Sequence, residues 1–485
     1  MKTSKAASAL SLALMSDGVA AHVFAPTYTL PIPFGMYASG AAAALVASFV
    51  IVGYVLKEPA PRAPLQASRD DGGSAANGML PAWIVRSLSF VSVFGLLLTI
   101  ATGLFGSPNA LVNFNMTFFW IVFVLGFTYA TVLVGDIYAL MNPWRAICDG
   151  LDRISPALFR GRLRYPAWLG YYPALALYMA FIWIELFGRT QPRTLSMTLI
   201  AYSGLTLVAA WLFGKENWFR FGEFFAVMFR LIGKMAPLAY MRTSNRQHPY
   251  RVQLRRPFTG LLDGSADHAS LLLFVIFMLS STAYDGAHNT LPWVGIFWKG
   301  IHPVLSTVFN QPYFFFVKIY YAWQSAMLFL LPLVYLAIYL LLLWLAKVAA
   351  QSSIPLRTLA LRFAFTLIPI ALVYSLTHYY MLLFSQGAQI ARMISDPFSL
   401  GWNLFGTADW SADPIILDAG GVWHTQVALI LFGHIVSVYL AHVEALKVFG
   451  NRRHAMLSQL PMLVLMVLLT TVGLWILSLP IAAGS

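Results

Sequence analysis

Apolar residues in this chain run in long unbroken blocks, without the alternation of a half-buried strand or the narrow stripe of a surface helix. An α-helix needs about 20 mostly apolar residues to cross a hydrocarbon core of ~30 Å. Ten blocks are long enough: residues 34–56, 83–105, 116–140, 168–188, 195–213, 268–284, 320–346, 359–384, 422–446 and 460–481. The pattern predicts an all-α protein, a polytopic transmembrane bundle of about ten spanning helices that forms a single domain over residues 22–485. No internal repeat is evident, so the inverted repeats of many transporters find no support here.

Two connecting segments carry a pattern of their own. Residues 218–240 set Phe219, Phe221, Phe224, Phe225 and Phe229 among Arg220, Arg230 and Lys234, which predicts a basic amphipathic helix lying on the inner membrane surface. Residues 289–312 are apolar and aromatic yet include Lys299 and His302, which predicts a surface or re-entrant helix lidding the outer face. Residues 60–78, rich in Ala, Pro, Gly and Asp, read as a flexible linker.

Composition agrees with lipid as the main solvent. Of 485 residues, 59% are hydrophobic and 10% charged, with a mean hydropathy of +0.72; a soluble domain carries roughly 25% charged residues. The formal charge of +13 would suggest a nucleic-acid partner were it gathered on one soluble face, but it falls in alternate loops. Loops 141–166 and 214–267 hold most of it, including Arg145, Arg153, Arg160, Lys215, Arg242 and Arg251. Lys347, Arg357 and Arg362 mark another such loop, and Lys447, Arg452 and Arg453 the last. Cytoplasmic loops are enriched in Lys and Arg, so these are placed inside and no nucleic acid is expected. Loops 285–319 and 386–421 are placed outside; the second carries Asp396, Asp409, Asp413 and Asp418 against Arg392 alone. The single cysteine, Cys148, excludes an intrachain disulfide and any cysteine-based metal knuckle, and reads as a packing residue. At the start, Lys2 and Lys5 precede a short apolar run and then small residues. Residues 1–21 read as a signal peptide with Val19 and Ala21 at the cleavage positions, leaving His22 as the new N-terminus; an uncleaved anchor is the other reading.

Ionisable groups within a bilayer are costly, so each asks for a reason. With the orientation above, Glu185 ends the fourth span on the outside, Asp285 and His288 follow the sixth, His378 lies in the outer half of the eighth, and His424 begins the ninth. His434 lies ten residues deeper, about 15 Å along a helix. Imidazole and carboxylate are ligands that zinc, manganese, iron or copper accept, and Asp285 and His288 share a face if helical. No HExxH, GxSxG, P-loop or dinucleotide-binding glycine pattern occurs on a suitable element, so agreement in depth is what joins these residues. Taken singly, each histidine is more simply a hydrogen bond between helices. Asp136, His442 and Glu444 sit at inner helix ends, where pairing with Lys447 or the loop arginines explains them, and Arg86 snorkels. Tyr379, Tyr380 and Trp402 read as belt and packing aromatics.

The strings AHVFAPTYTLPIPFGMYASGAAAALVASFVIVGYVL, STAYDGAHNTLPW, LIPIALVYSLTHYYMLLFSQG, SDPFSLGWNLFGTADW and RRHAMLSQLPMLVLMVLLTTVGLWILS resemble bacterial integral-membrane proteins named fenitrothion hydrolase, over nearly the whole chain from His22 onward. The resemblance implies a hydrolase of the bacterial cytoplasmic membrane that cleaves the aryl ester of a lipophilic organophosphate triester and releases a nitrophenol. It supplies no catalytic residue. Joined to the residues above, it leads to a divalent metal ion (zinc, manganese or copper) held by Asp285, His288, His378 and His424, with the amine and ring of His22 as further donors and His434 or Glu185 either supporting those ligands or acting as general base. The site faces the periplasm or exterior. Two other readings stand beside it: a transporter or channel for a small solute or ion, in which the same groups relay protons or bind a cation, and a copper-handling or respiratory-assembly protein. The sequence leaves the oligomeric state open.

Overall fold

A computed structural model describes residues 33–55, 78–410 and 418–479. The expected leader at 1–21, His22 and nearly all of the linker at 60–78 lie outside the described residues.

The twelve principal helices are α1 (Phe34–Val55), α2 (Ala82–Phe105), α3 (Phe114–Val134), α4 (Pro143–Ile154), α5 (Tyr172–Phe187), α6 (Pro192–Phe213), α7 (Phe224–Gly233), α8 (Ala269–Ala287), α9 (Tyr313–Ala349), α10 (Leu356–Ser395), α11 (Ala419–Phe449) and α12 (Arg452–Ser478). All but α4 and α7 are long and apolar enough to cross a membrane, which makes ten spans and an all-α polytopic bundle. Spans α8 and α10 are 78% buried inside the protein, against 17% for α1 and α2, so α8 and α10 form the centre and the others surround them.

Termini of the spans follow local chemistry. Pro192 begins α6 behind a capping box in which Gln191 and Thr194 satisfy each other's backbone. Asp418 accepts from the Gly421 N–H at 2.9 Å at the start of α11, and Asn451 from the Arg453 N–H at the start of α12. The third span stops at Val134, short of residue 140, because Gly135 turns the chain at φ 91° and a Cβ there would lie 2.4 Å from the Leu238 carbonyl oxygen. Gly103 lets α2 meet α6: a Cβ would stand 2.0 Å from Asn115 Nδ2 and 2.1 Å from Ser196 Oγ.

One expectation for the connecting segments changes. The helix expected on the surface over 218–240 is α7, and its residues from Phe224 to Gly233 are buried inside the bundle except Ala226 and Arg230. Its aromatics explain this: Phe225 and Phe229 pack against Phe123, Phe127 and Tyr138, and the broad apolar face leaves Arg230 as the one charged side chain of the helix. Glu223 caps it, accepting from the Phe225 and Ala226 N–H groups at 3.0 and 2.8 Å. The amphipathic element at this end is instead α4, which buries Trp144 and Cys148 while Lys215 ties its Asp149 and Asp152 at 2.5 and 2.6 Å. The basic loop also supplies Leu238–Arg242 (β2) and Tyr250–Leu254 (β3), which with Gly78–Leu80 (β1), from just before α2, form a three-stranded antiparallel sheet in the order β1-β3-β2. At the opposite end, residues 291–308 form a broken helical stretch whose Trp293 and Trp298 pack on Trp323 and Tyr313 of α9, as a surface element.

Candidate functional site

The end of the bundle away from the arginine-rich loops gathers polar side chains from three spans. Tyr284 and Asp285 occupy the last turn of α8. Tyr284 donates to Gln324 Oε1 of α9 at 2.9 Å, which fixes that turn and with it the direction of the neighbouring carboxylate. Across from it, α10 presents His378 and Tyr379 as consecutive residues.

Asp285 is 7% exposed and its two oxygens differ. Oδ2 accepts a hydrogen bond from the Tyr379 hydroxyl and lies 3.5 Å from His378 Nε2. Oδ1 is buried and has no hydrogen-bond partner among the described residues. In an apolar surrounding such an oxygen costs about 1–3 kcal/mol unless water or an ion meets it. A cavity of about 80 Å³ lies beside it, walled by Asp285, Glu185, Tyr379, Ser281, Thr282 and Thr128, with Met228 and Ile232 of α7 also lining it. The space suits a few waters or a small ion. The His378 side chain is 20% exposed, so a reactant can approach the pair from that side.

The seven residues singled out in the sequence divide. Glu185, Asp285 and His378 stand together on α5, α8 and α10. His288 lies one turn beyond Asp285, with Nδ1 2.8 Å from the Asp285 backbone oxygen and its ring stacked on Tyr284. His424 and His434 lie on α11. His424 is exposed, its Nε2 3.5 Å from the Tyr37 hydroxyl of α1 and its Nδ1 2.7 Å from the Gly420 oxygen. His434 is wholly buried, with Nδ1 2.8 Å from the Ile430 oxygen and no partner at Nε2 among the described residues. The neighbouring Gly433 abuts Val373 and the Pro369 oxygen of α10. His22 lies outside the described residues. Among the described residues no three His, Cys, Asp or Glu side chains gather into a metal-sized group.

Tyr379 is the residue that sequence reasoning passed over. Read as a packing aromatic, it is instead the direct partner of Asp285; its position next to His378 in the string THYY was the available signal. Of the groups expected to pair at inner helix ends, Asp136 instead accepts from the Ala139 N–H at 3.1 Å. Glu444 pairs with Lys447 at 3.2 Å and Arg362 at 3.5 Å, whereas His442 is buried with neither ring nitrogen partnered among the described residues. Compared with protein families, curated proteins and solved structures, the chain matches none.

Proposed function

We propose that this chain is a membrane-embedded hydrolase of lipophilic organophosphate triesters such as fenitrothion, resident in a bacterial cytoplasmic membrane with its site on the outward side. The observation that carries the reading is the Asp285 carboxylate, bonded to Tyr379, beside His378, and sharing a water-sized cavity with Glu185. An imidazole oriented by a buried carboxylate is a general base of the type that activates water for attack on a phosphorus centre. The resemblance of the strings around these residues to fenitrothion hydrolases supplies the substrate class.

In this reading the attacking water lies on the exposed side of His378, which does not line the small cavity that Asp285 and Glu185 share. His378, steadied by Asp285, takes the water's proton as its oxygen bonds to phosphorus, and the bond from phosphorus to the aryl oxygen breaks. The nitrophenolate leaves toward the exposed side of His378, and Glu185 serves as the second acid–base group, since paired carboxylates divide those roles. Tyr379 holds the Asp285 oxygen that faces His378. Asp285 and His378 are the two side chains that would contribute to holding a divalent ion, which would make a bound water more acidic.

One observation favours a second reading, movement of a cation or protons: the cavity is far smaller than a triester. Detergent-purified protein given fenitrothion separates the two. The proposal expects nitrophenol release without any gradient, and loss of it on chelation if the ion belongs to the site. No release in detergent, with cation or proton flux in proteoliposomes, would replace the hydrolase by the transporter.

A further inference from the structure

A second cavity lies on the other side of α8, between α8, α9 and α12, and it differs from the first in every respect. Its volume is about 450 Å³, within the range of small-molecule sites. Ala283 and Ala287 of α8, Leu331 and Ile338 of α9, and Leu468 and Val472 of α12 are part of its wall. The small alanines leave the space, and Pro332, inside α9, removes a backbone donor where that wall begins. Ile338, Leu468, Val472 and Trp475 are exposed, so the space opens sideways, at the depth of the spans. Asp285 is not among the lining residues, and the site proposed above plays no part here.

A void walled by apolar side chains does not hold water, and left empty it forfeits dispersion contacts on every wall. The bilayer offers hydrocarbon to fill it. One polar feature stands at the end remote from the arginine-rich loops. Trp293, in the stretch just after α8, lines the cavity, and its indole N–H is buried with no acceptor among the described residues. A donor left unpaired in a membrane protein is expensive, and tryptophan favours the level of the lipid ester groups. Thr290 lines the same end with its hydroxyl already donated to the Ala287 oxygen, so the indole is the donor still to be met.

We infer that this cavity binds one acyl chain of a phospholipid from the leaflet opposite the arginine-rich face, with the chain's ester carbonyl accepting the hydrogen bond of Trp293 Nε1. The chain gains little from hydrophobicity, since it leaves one hydrocarbon for another. It is held by filling the void and by pairing the indole.

The test reconstitutes the protein in vesicles of palmitoyl-oleoyl-phosphatidylcholine, extracts it in detergent and counts retained lipid by native mass spectrometry. The wild type is expected to keep one phosphatidylcholine per chain. Ala283→Trp, which fills the cavity, should lower retention at least tenfold, and Trp293→Phe, which keeps the shape and removes the donor, several-fold. Leu468→Trp fills the space from the α12 wall and repeats the test should Ala283→Trp fail to fold. Equal retention in the filled variants would mark the lipid as general coating and overturn the inference, as would no retained lipid in the wild type; unchanged retention in Trp293→Phe would overturn the ester anchor.

Discussion

Asp285→Asn is expected to reduce nitrophenol release from fenitrothion by about 100-fold or more, the usual scale for losing a general acid–base group, at unchanged expression and unfolding temperature. The substitution preserves shape and removes charge. The amide can still meet the Tyr379 hydroxyl and lie beside His378, but it no longer favours an imidazolium, so the proton taken from water has no stabilised resting place. Tyr379→Phe deletes one hydrogen bond to a charged group and leaves the charge, so its loss should be nearer tenfold. A rate for Asp285→Asn within threefold of wild type would remove Asp285 from the chemistry.

Glu223→Leu is expected to be the most damaging change to folding, at about 3–5 kcal/mol, because four buried neutral donors lose their shared acceptor, at roughly 1–3 kcal/mol for each that finds no other. Glu223 is fully buried where α7 enters the bundle. It accepts from the Tyr202 hydroxyl, from Asn142 Nδ2 at 3.1 Å and from the first N–H groups of α7. Leucine would leave these donors without an acceptor and loosen α7 beneath the small cavity. Thermal unfolding in detergent measures this, and a midpoint within 1 °C of wild type would contradict it. The same residue sets a pH dependence. Burial pushes the Glu223 carboxyl up from 4.5 to about 7, against the downward pull of its donors. Between those values the folded protein keeps a proton that the unfolded chain has released, so stability falls as pH rises from about 4.5 to 7. Glu223→Gln should lack that part of the slope.

How much of this was legible in the sequence depends on the range of the interaction. The spans were readable because crossing a bilayer is a requirement on length and hydropathy alone, and α1, α2 and α6 begin or end within a few residues of the expected positions. The buried fate of α7 was also written there: Phe224, Phe225, Val227, Met228, Leu231 and Ile232 form one broad apolar face, extended by Phe229, and Arg230 is the single charge on the other side. Likewise the alternation Tyr250, Val252, Leu254 with Arg251 and Gln253 is a strand pattern, obscured by the charge of its loop. The site was half legible. Depth along each helix brought Glu185, Asp285 and His378 to one level, but depth carries no information on which way a side chain faces. Hence His424 and His434, at plausible heights, belong to the α11 side, and Tyr379 was overlooked beside a histidine already singled out.

The most direct measurement is a double-mutant cycle on the rate of nitrophenol release, comparing Asp285→Asn, His378→Ala and the two combined. If carboxylate and imidazole act as one unit, the double variant is no slower than the slower single one. Losses that multiply would mean that the two residues work independently, and the account of the site would fall.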